Sequence, residues 1–168
     1  MKYTSAEAGK LLKKLIDEHD SLLLRENMGK EFLAAVGEDL ESVRPDYDFA
    51  ATQTALAEVE TKIRKLKHAL NVFNSTTVIA EFGITIDEML VLIPQLTATK
   101  NRLAQMKDKL PKVREQSRMS VSSILDYRYL NYDVNVVSAE YEKAADTLSR
   151  AQNALDAVNM TKTLEVSL

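Results

Sequence analysis

The sequence predicts a mainly α fold, two αα-hairpin repeats forming an antiparallel long-helix bundle or coiled coil. Three observations lead there. Residues 47–79 and 132–164 resemble one element written twice, 85 positions apart. Tyr47, Asp48, Ala69, Leu70, Asn74 and Thr76 align without a gap with Tyr132, Asp133, Ala154, Leu155, Asn159 and Thr161. Both stretches also carry one apolar ladder stepping by three and four. It runs Phe49, Thr52, Leu56, Val59, Ile63, Leu66, Leu70, Phe73 in the first and Val134, Val137, Tyr141, Ala144, Leu148, Ala151, Leu155, Val158 in the second. Such a period favours a left-handed supercoil against a partner helix. Finally, aromatics make up only 6%, and there are four glycines and three prolines, a composition suited to long helices and unsuited to a sandwich or barrel.

Thr4 and Glu7 have the spacing of a capping box, which starts the first helix. Its apolar positions Ala8, Leu11, Leu12, Leu15 and Leu22 recur at helical spacing, His19 falls on the same stripe, and Gly29 after Met28 is the expected stop. Residues 30–47 read as mixed, with Gly37 and Arg44-Pro45-Asp46 marking a connection. The second helix should span 48–74, a rod of about 40 Å at ~1.5 Å per residue.

The β-branched run that follows, closed by Gly83, predicts a short extended segment near 76–82. Thr85 and Glu88 form a second capping box and open helix three, whose ladder is Met89, Leu92, Leu96, Thr99, Leu103, Met106, Leu110. Pro94 inside it predicts a kink or break near Leu92, because proline removes a backbone donor and crowds the preceding turn, and Pro111 should end the helix. Residues 112–131 lack a helical period and predict a long ordered loop or strand, with an extended segment near 120–131. The fourth helix covers 133–159, and alternation over 161–168 predicts a terminal strand. Thr4, Glu7, Leu11, Leu12, Leu15 and Leu22 match Thr85, Glu88, Leu92, Ile93, Leu96 and Leu103 at an offset of 81. The expectation is therefore one domain over 1–168 with an internal repeat, 4–79 and 85–164.

Bulk properties exclude several function classes. A net charge of −3 with interspersed signs gives no basic stripe for phosphate backbones, so no nucleic-acid partner is expected. The absence of cysteine removes disulfides, thiolate metal sites and a thiol nucleophile. The first residues lack the apolar core of a signal peptide and the run Met89–Ile93 is too short to span a bilayer, which predicts a cytoplasmic protein without membrane contact. There is no phosphate-binding loop, dinucleotide fingerprint, nucleophile elbow, HxxxH or ExxH, so no catalytic residue, cofactor or metal is expected and the chain reads as a non-enzyme.

Three groups are candidates for binding. Asn74 and Asn159 fall at the last turn of their helices, where asparagine serves as a C-cap; alternatively the two Asn-x-Thr pairs line a polar pocket. Tyr127, Arg128, Tyr129 and Asn131 combine aromatic faces with a guanidinium and an amide, a set able to hold a planar anion; the plainer reading packs the tyrosines and gives Asp133, like Asp48, an N-cap role. Lys67, His68 and Asn71, with Arg64 and Lys65 adding charge, are either a solvated helix face or an anion-binding patch covered by another subunit. His19 is expected to be partly buried at an interface. Long helices expose more apolar seam than one hairpin covers, so a homo-oligomer is expected. The functional expectation is a non-catalytic oligomeric helical binder of a small anionic, nucleotide-like ligand at subunit or hairpin interfaces. The alternative is a coiled-coil scaffold that binds a partner helix.

The stretches Ile63–Thr77, Gly83–Leu96, Tyr127–Val134 and Ala151–Thr161 are similar to those of a large group of helical bacterial proteins found also in mobile elements and phages, themselves distantly similar to proteins called septicolysin. The resemblance covers most of the chain from Tyr47 onward and implies a helical, oligomeric protein. It carries over no catalytic residue. The septicolysin likeness implies membrane activity as a further alternative, although this chain shows no membrane-inserting segment.

Overall fold

The computed structural model describes residues 1–115 and 126–168. In chain order its elements are β1 (Lys2–Thr4), α1 (Ser5–Gly29), α2 (Leu40–Val43), α3 (Phe49–Thr76), β2 (Val78–Ile79), β3 (Ile84–Thr85), α4 (Ile86–Lys107), β4 (Lys112–Arg114), β5 (Tyr127–Tyr129), α5 (Val134–Thr161) and β6 (Thr163–Glu165). The fold is mainly helical, with short antiparallel strands, as the sequence predicts. Among the described residues no helix is long and apolar enough to cross a membrane. The chain gathers into two compact units, Met1–Thr77 with Ala157–Leu168, and Val78–Asp156.

In the first unit α1 begins as the capping box requires. The Glu7 N–H donates to the Thr4 hydroxyl at 3.2 Å while the Thr4 N–H donates to Glu7 Oε2 at 2.8 Å. The helix stops at Gly29, where a Cβ would lie 2.8 Å from Cβ of Tyr47, so glycine lets the returning chain approach. α3 packs back along α1 in antiparallel sense, starting from Asp48, whose carboxylate accepts the Ala51 N–H at 2.9 Å. Ala8 and Leu15 of α1 are buried, as are Leu56, Val59, Leu66 and Phe73 of the predicted ladder. Phe49, the first rung, is 65% exposed because it precedes the packed part of the hairpin. β6 pairs antiparallel with β1, Tyr3 opposite Leu164 and Thr4 opposite Thr163, and buries Leu164 and Val166. The terminal strand is the predicted one; β1 has no signal in its own three residues, since its partner lies far along the chain.

In the second unit β2 and β3 form a tight hairpin, Val78 opposite Thr85 and Ile79 opposite Ile84, with Gly83 at φ 67° closing the turn. Thr76, expected to be extended, is still helical. The Thr85–Glu88 capping box opens α4 with the same bonds, 3.2 and 2.8 Å. Of the kink or break expected near Leu92, the break does not occur: α4 runs unbroken through Pro94, which is exposed. One lost backbone donor is offset by the other bonds of a 22-residue helix. Lys112, Val113 and Arg114 pair with Tyr129, Arg128 and Tyr127, so the non-helical stretch contains an antiparallel pair, while the part of the predicted 120–131 segment before Asp126 lies outside the described residues. α5 starts on Asp133, which accepts the Asn135 N–H at 2.7 Å. Ile79, Ile86, Met89, Val137, Leu148, Ala151 and Leu155 are buried.

Candidate functional site

α1 and α3 meet in a heptad step. The Gln53 amide donates to Glu26 Oε1 at 2.7 Å, and seven residues lower on α1 and seven higher on α3, His19 Nε2 lies 3.4 Å from Glu60 Oε1. Beyond that pair the helices leave a groove of about 630 Å3 between Ile16 and His19 on one side and Glu60, Ile63, Arg64, Lys67, His68 and Asn71 on the other. Ile16 and Ile63 give it an apolar floor, and the cations and amide stand on the α3 rim. Arg64 Nη2 donates to the Thr61 hydroxyl at 3.4 Å. Among the described residues neither Arg64 nor Lys67 is held in a salt bridge. Glu60, the one carboxylate on the lining, faces His19 instead. The groove is therefore positive at its rim and open to solvent.

The predicted trio Lys67, His68 and Asn71 thus comes together, and Arg64 joins it as expected. Lys65 does not: it lines a second groove along α3, of about 650 Å3, with Thr54, Ala57, Thr61 and Leu168. His19, Ile16 and Glu60 were not grouped with the trio by the sequence reading. Antiparallel pairing from the Gly29–Tyr47 corner, stepped by heptads, would have found them. The chain's two histidines both belong to this groove.

The other candidates are placed elsewhere. Asn74 is half-buried within α3 and Asn159 half-buried within α5, and among the described residues no non-glycine residue has a positive φ, so neither is the expected left-handed C-cap. The threonine of each Asn-x-Thr is the last residue of its helix and bonds back into it: Thr76 Oγ1 donates to the Val72 carbonyl at 2.7 Å and Thr161 Oγ1 to that of Ala157 at 2.6 Å. Tyr127, Arg128 and Tyr129 form β5 and find partners on and beside β4. Lys112 Nζ lies 4.2 Å from the Tyr127 ring centre and 5.4 Å from that of Tyr129, and Arg128 makes a two-pronged pair with Glu115 at 3.0 and 3.1 Å. Asn131 is exposed just before α5. An internal lysine thus occupies the aromatic faces that the sequence reading offered to a ligand. Among the described residues no three His, Asp or Glu side chains gather as a metal site.

No protein-family model matches the chain, and no similar sequence is found among curated proteins. A crystal structure of a functionally unknown conserved protein from Corynebacterium diphtheriae is similar over 98% of this chain and 100% of that one, at 20% sequence identity and a TM-score of 0.62. At that identity the likeness concerns the fold alone.

Proposed function

We propose that the chain is a non-catalytic, self-associating helical binding protein, and that its site is the α1–α3 groove of the first unit. The ligand is an anionic group carried on an apolar body. The observation that carries this reading is the pairing of two cations, Arg64 and Lys67, that form no salt bridge among the described residues, with an Ile16–Ile63 floor in one groove. An anion on the rim gains charge-assisted hydrogen bonds from Lys67, His68 and Asn71, while an adjoining ring or chain covers the isoleucines. A nucleotide has both parts. Titration calorimetry with ATP and with inorganic phosphate tests it. Heat from ATP that disappears in an Arg64→Glu/Lys67→Glu variant supports the reading; no ATP binding to the wild-type chain removes its small-ligand form.

A binder is favoured over an enzyme because Glu60 is engaged by His19 and the groove is open.

We also read the architecture as an internally repeated hairpin. Several paired details support this. The Thr52 N–H donates to the Asp48 carbonyl at 3.0 Å and the Val137 N–H to that of Asp133 at 3.1 Å. Thr77 and Lys162 N–H groups donate to Phe73 and Val158 carbonyls, both at 2.9 Å. At the 81-residue offset Ala8 and Met89 are both wholly buried, and at the 85-residue offset so are Leu66 and Ala151. Small and large side chains exchange places between the two copies, which conserves core volume.

A further inference from the structure

The connection between α1 and α3 presents apolar side chains where a monomer has no use for them. Leu33 is 97% and Val36 108% exposed, and Leu40 follows at 53%. The backbone that holds them is built. The Glu38 N–H donates to the Ala35 carbonyl at 3.1 Å and the Ala35 N–H to Glu38 Oε2 at 2.8 Å, with Gly37 at φ 85°. This is the geometry of a glycine-dependent turn with Val36 at its tip. Arg44 clamps the other side, bonded to Glu41 Oε1 at 2.8 Å and 5.5 Å from the Phe32 ring centre. An ordered loop with fully solvated aliphatic tips is a knob looking for a pocket.

The loop is also acidic. Glu31, Glu38, Asp39 and Glu41 lie between positions 31 and 43, and although Lys30 and Arg44 flank them and Arg44 pairs with Glu41, acids outnumber bases across the loop. Its complement is on the same chain: an apolar floor with Arg64 and Lys67 on the rim. An apolar centre ringed by opposite charges is the usual anatomy of a specific protein contact, with the charges setting register and partner choice. The knob does not enter its own groove, since Leu33 and Val36 are fully solvated. It joins the helices at Phe49, 18 residues before Lys67, which is about 27 Å along α3 at ~1.5 Å per residue.

We infer that the Leu33–Val36 knob of one copy docks in the Ile16–Lys67 groove of a second copy, the charges of Arg64 and Lys67 meeting its acidic collar. This rests on the reading of that groove as an acceptor of anionic groups on apolar bodies, and it names the occupant.

The test is sedimentation velocity on the full chain with two variants, each lacking one half of the contact. Leu33→Ser/Val36→Thr removes the knob and leaves the groove; Arg64→Glu/Lys67→Glu does the reverse. All four positions are exposed, and circular dichroism confirms folding. The wild-type chain should self-associate, each variant should do so at least tenfold more weakly, and their equimolar mixture should recover an association that neither has alone. A wild-type chain that stays monomeric at every concentration, or two variants that associate like wild type, overturns the inference. ATP calorimetry on the same samples separates the two ideas. Binding that only Arg64→Glu/Lys67→Glu loses keeps the groove as an anion site, whereas no ATP binding and no self-association removes both.

Discussion

The Tyr47 hydroxyl donates to Glu26 Oε1 at 3.1 Å, tying the end of α1 to the start of α3, and 85 residues later the Tyr132 hydroxyl donates to the Met106 carbonyl at 3.0 Å, tying α4 to the start of α5. Desolvation, then the bond to Glu26, raises the Tyr47 phenol above its ordinary range. A raised folded value means that the stabilisation is fully present below the unfolded tyrosine range near ~10 and is lost as pH rises through the folded value. Tyr47→Phe should therefore lower the urea midpoint at neutral pH and flatten its decline in alkali. Tyr132→Phe should cost on the order of 1 kcal/mol by the loss of one hydrogen bond. Urea titrations from neutral to alkaline pH measure both.

The two capping boxes give the acid limb. Backbone and then side-chain bonds from Thr4 and Thr85 hold the Glu7 and Glu88 carboxyls below the usual glutamate range. Folded values below the unfolded one stabilise the fold above the unfolded value of about 4.3, and that contribution is lost as pH falls through the folded values. Glu7→Gln and Glu88→Gln should each reduce the slope of stability against pH below that point, and the double variant should reduce it further. Thr4→Ala or Thr85→Ala should cost about 1 kcal/mol at neutral pH.

Core volume is the third lever. Leu66 and Met89 are wholly buried, so truncating either removes packed volume from a core. Alanine at either should cost about 2–5 kcal/mol. Ala8→Leu, which adds volume at a site with no exposure, should cost about 1–3 kcal/mol by overpacking. Chemical denaturation with constant m-values would establish that the loss is in the native state.

What the sequence made legible is what short-range chemistry decides. Thr4–Glu7 and Thr85–Glu88 announced two helix starts, the three-four ladder announced α3 and α5, and Asp48 and Asp133 announced their N-termini. Features settled by distant partners were not legible. β1 exists only because β6 lies beside it, and His19 joins the groove only because α3 folds back. Pro94 does not break α4 because its cost is local while the helix is held along its whole length. Asn74 and Asn159 misled because each helix runs two residues further, to Thr76 and Thr161, so the asparagines stay in helical geometry. Of the candidate site, Lys67, His68 and Asn71 were legible as one face of a helix. Their apolar floor and Glu60 were not.

The central claim is that the groove between α1 and α3 is where this protein binds. His19 and His68 are its two histidines and both line that groove, so their imidazole resonances report on it with only two signals to follow. Carbon-edited NMR of the wild-type chain, titrated first by concentration and then with ATP, should shift both imidazoles along saturable curves, and Arg64→Glu/Lys67→Glu should abolish the ATP shifts. Imidazole signals that stay fixed while backbone resonances elsewhere move with the same titrations would contradict the claim.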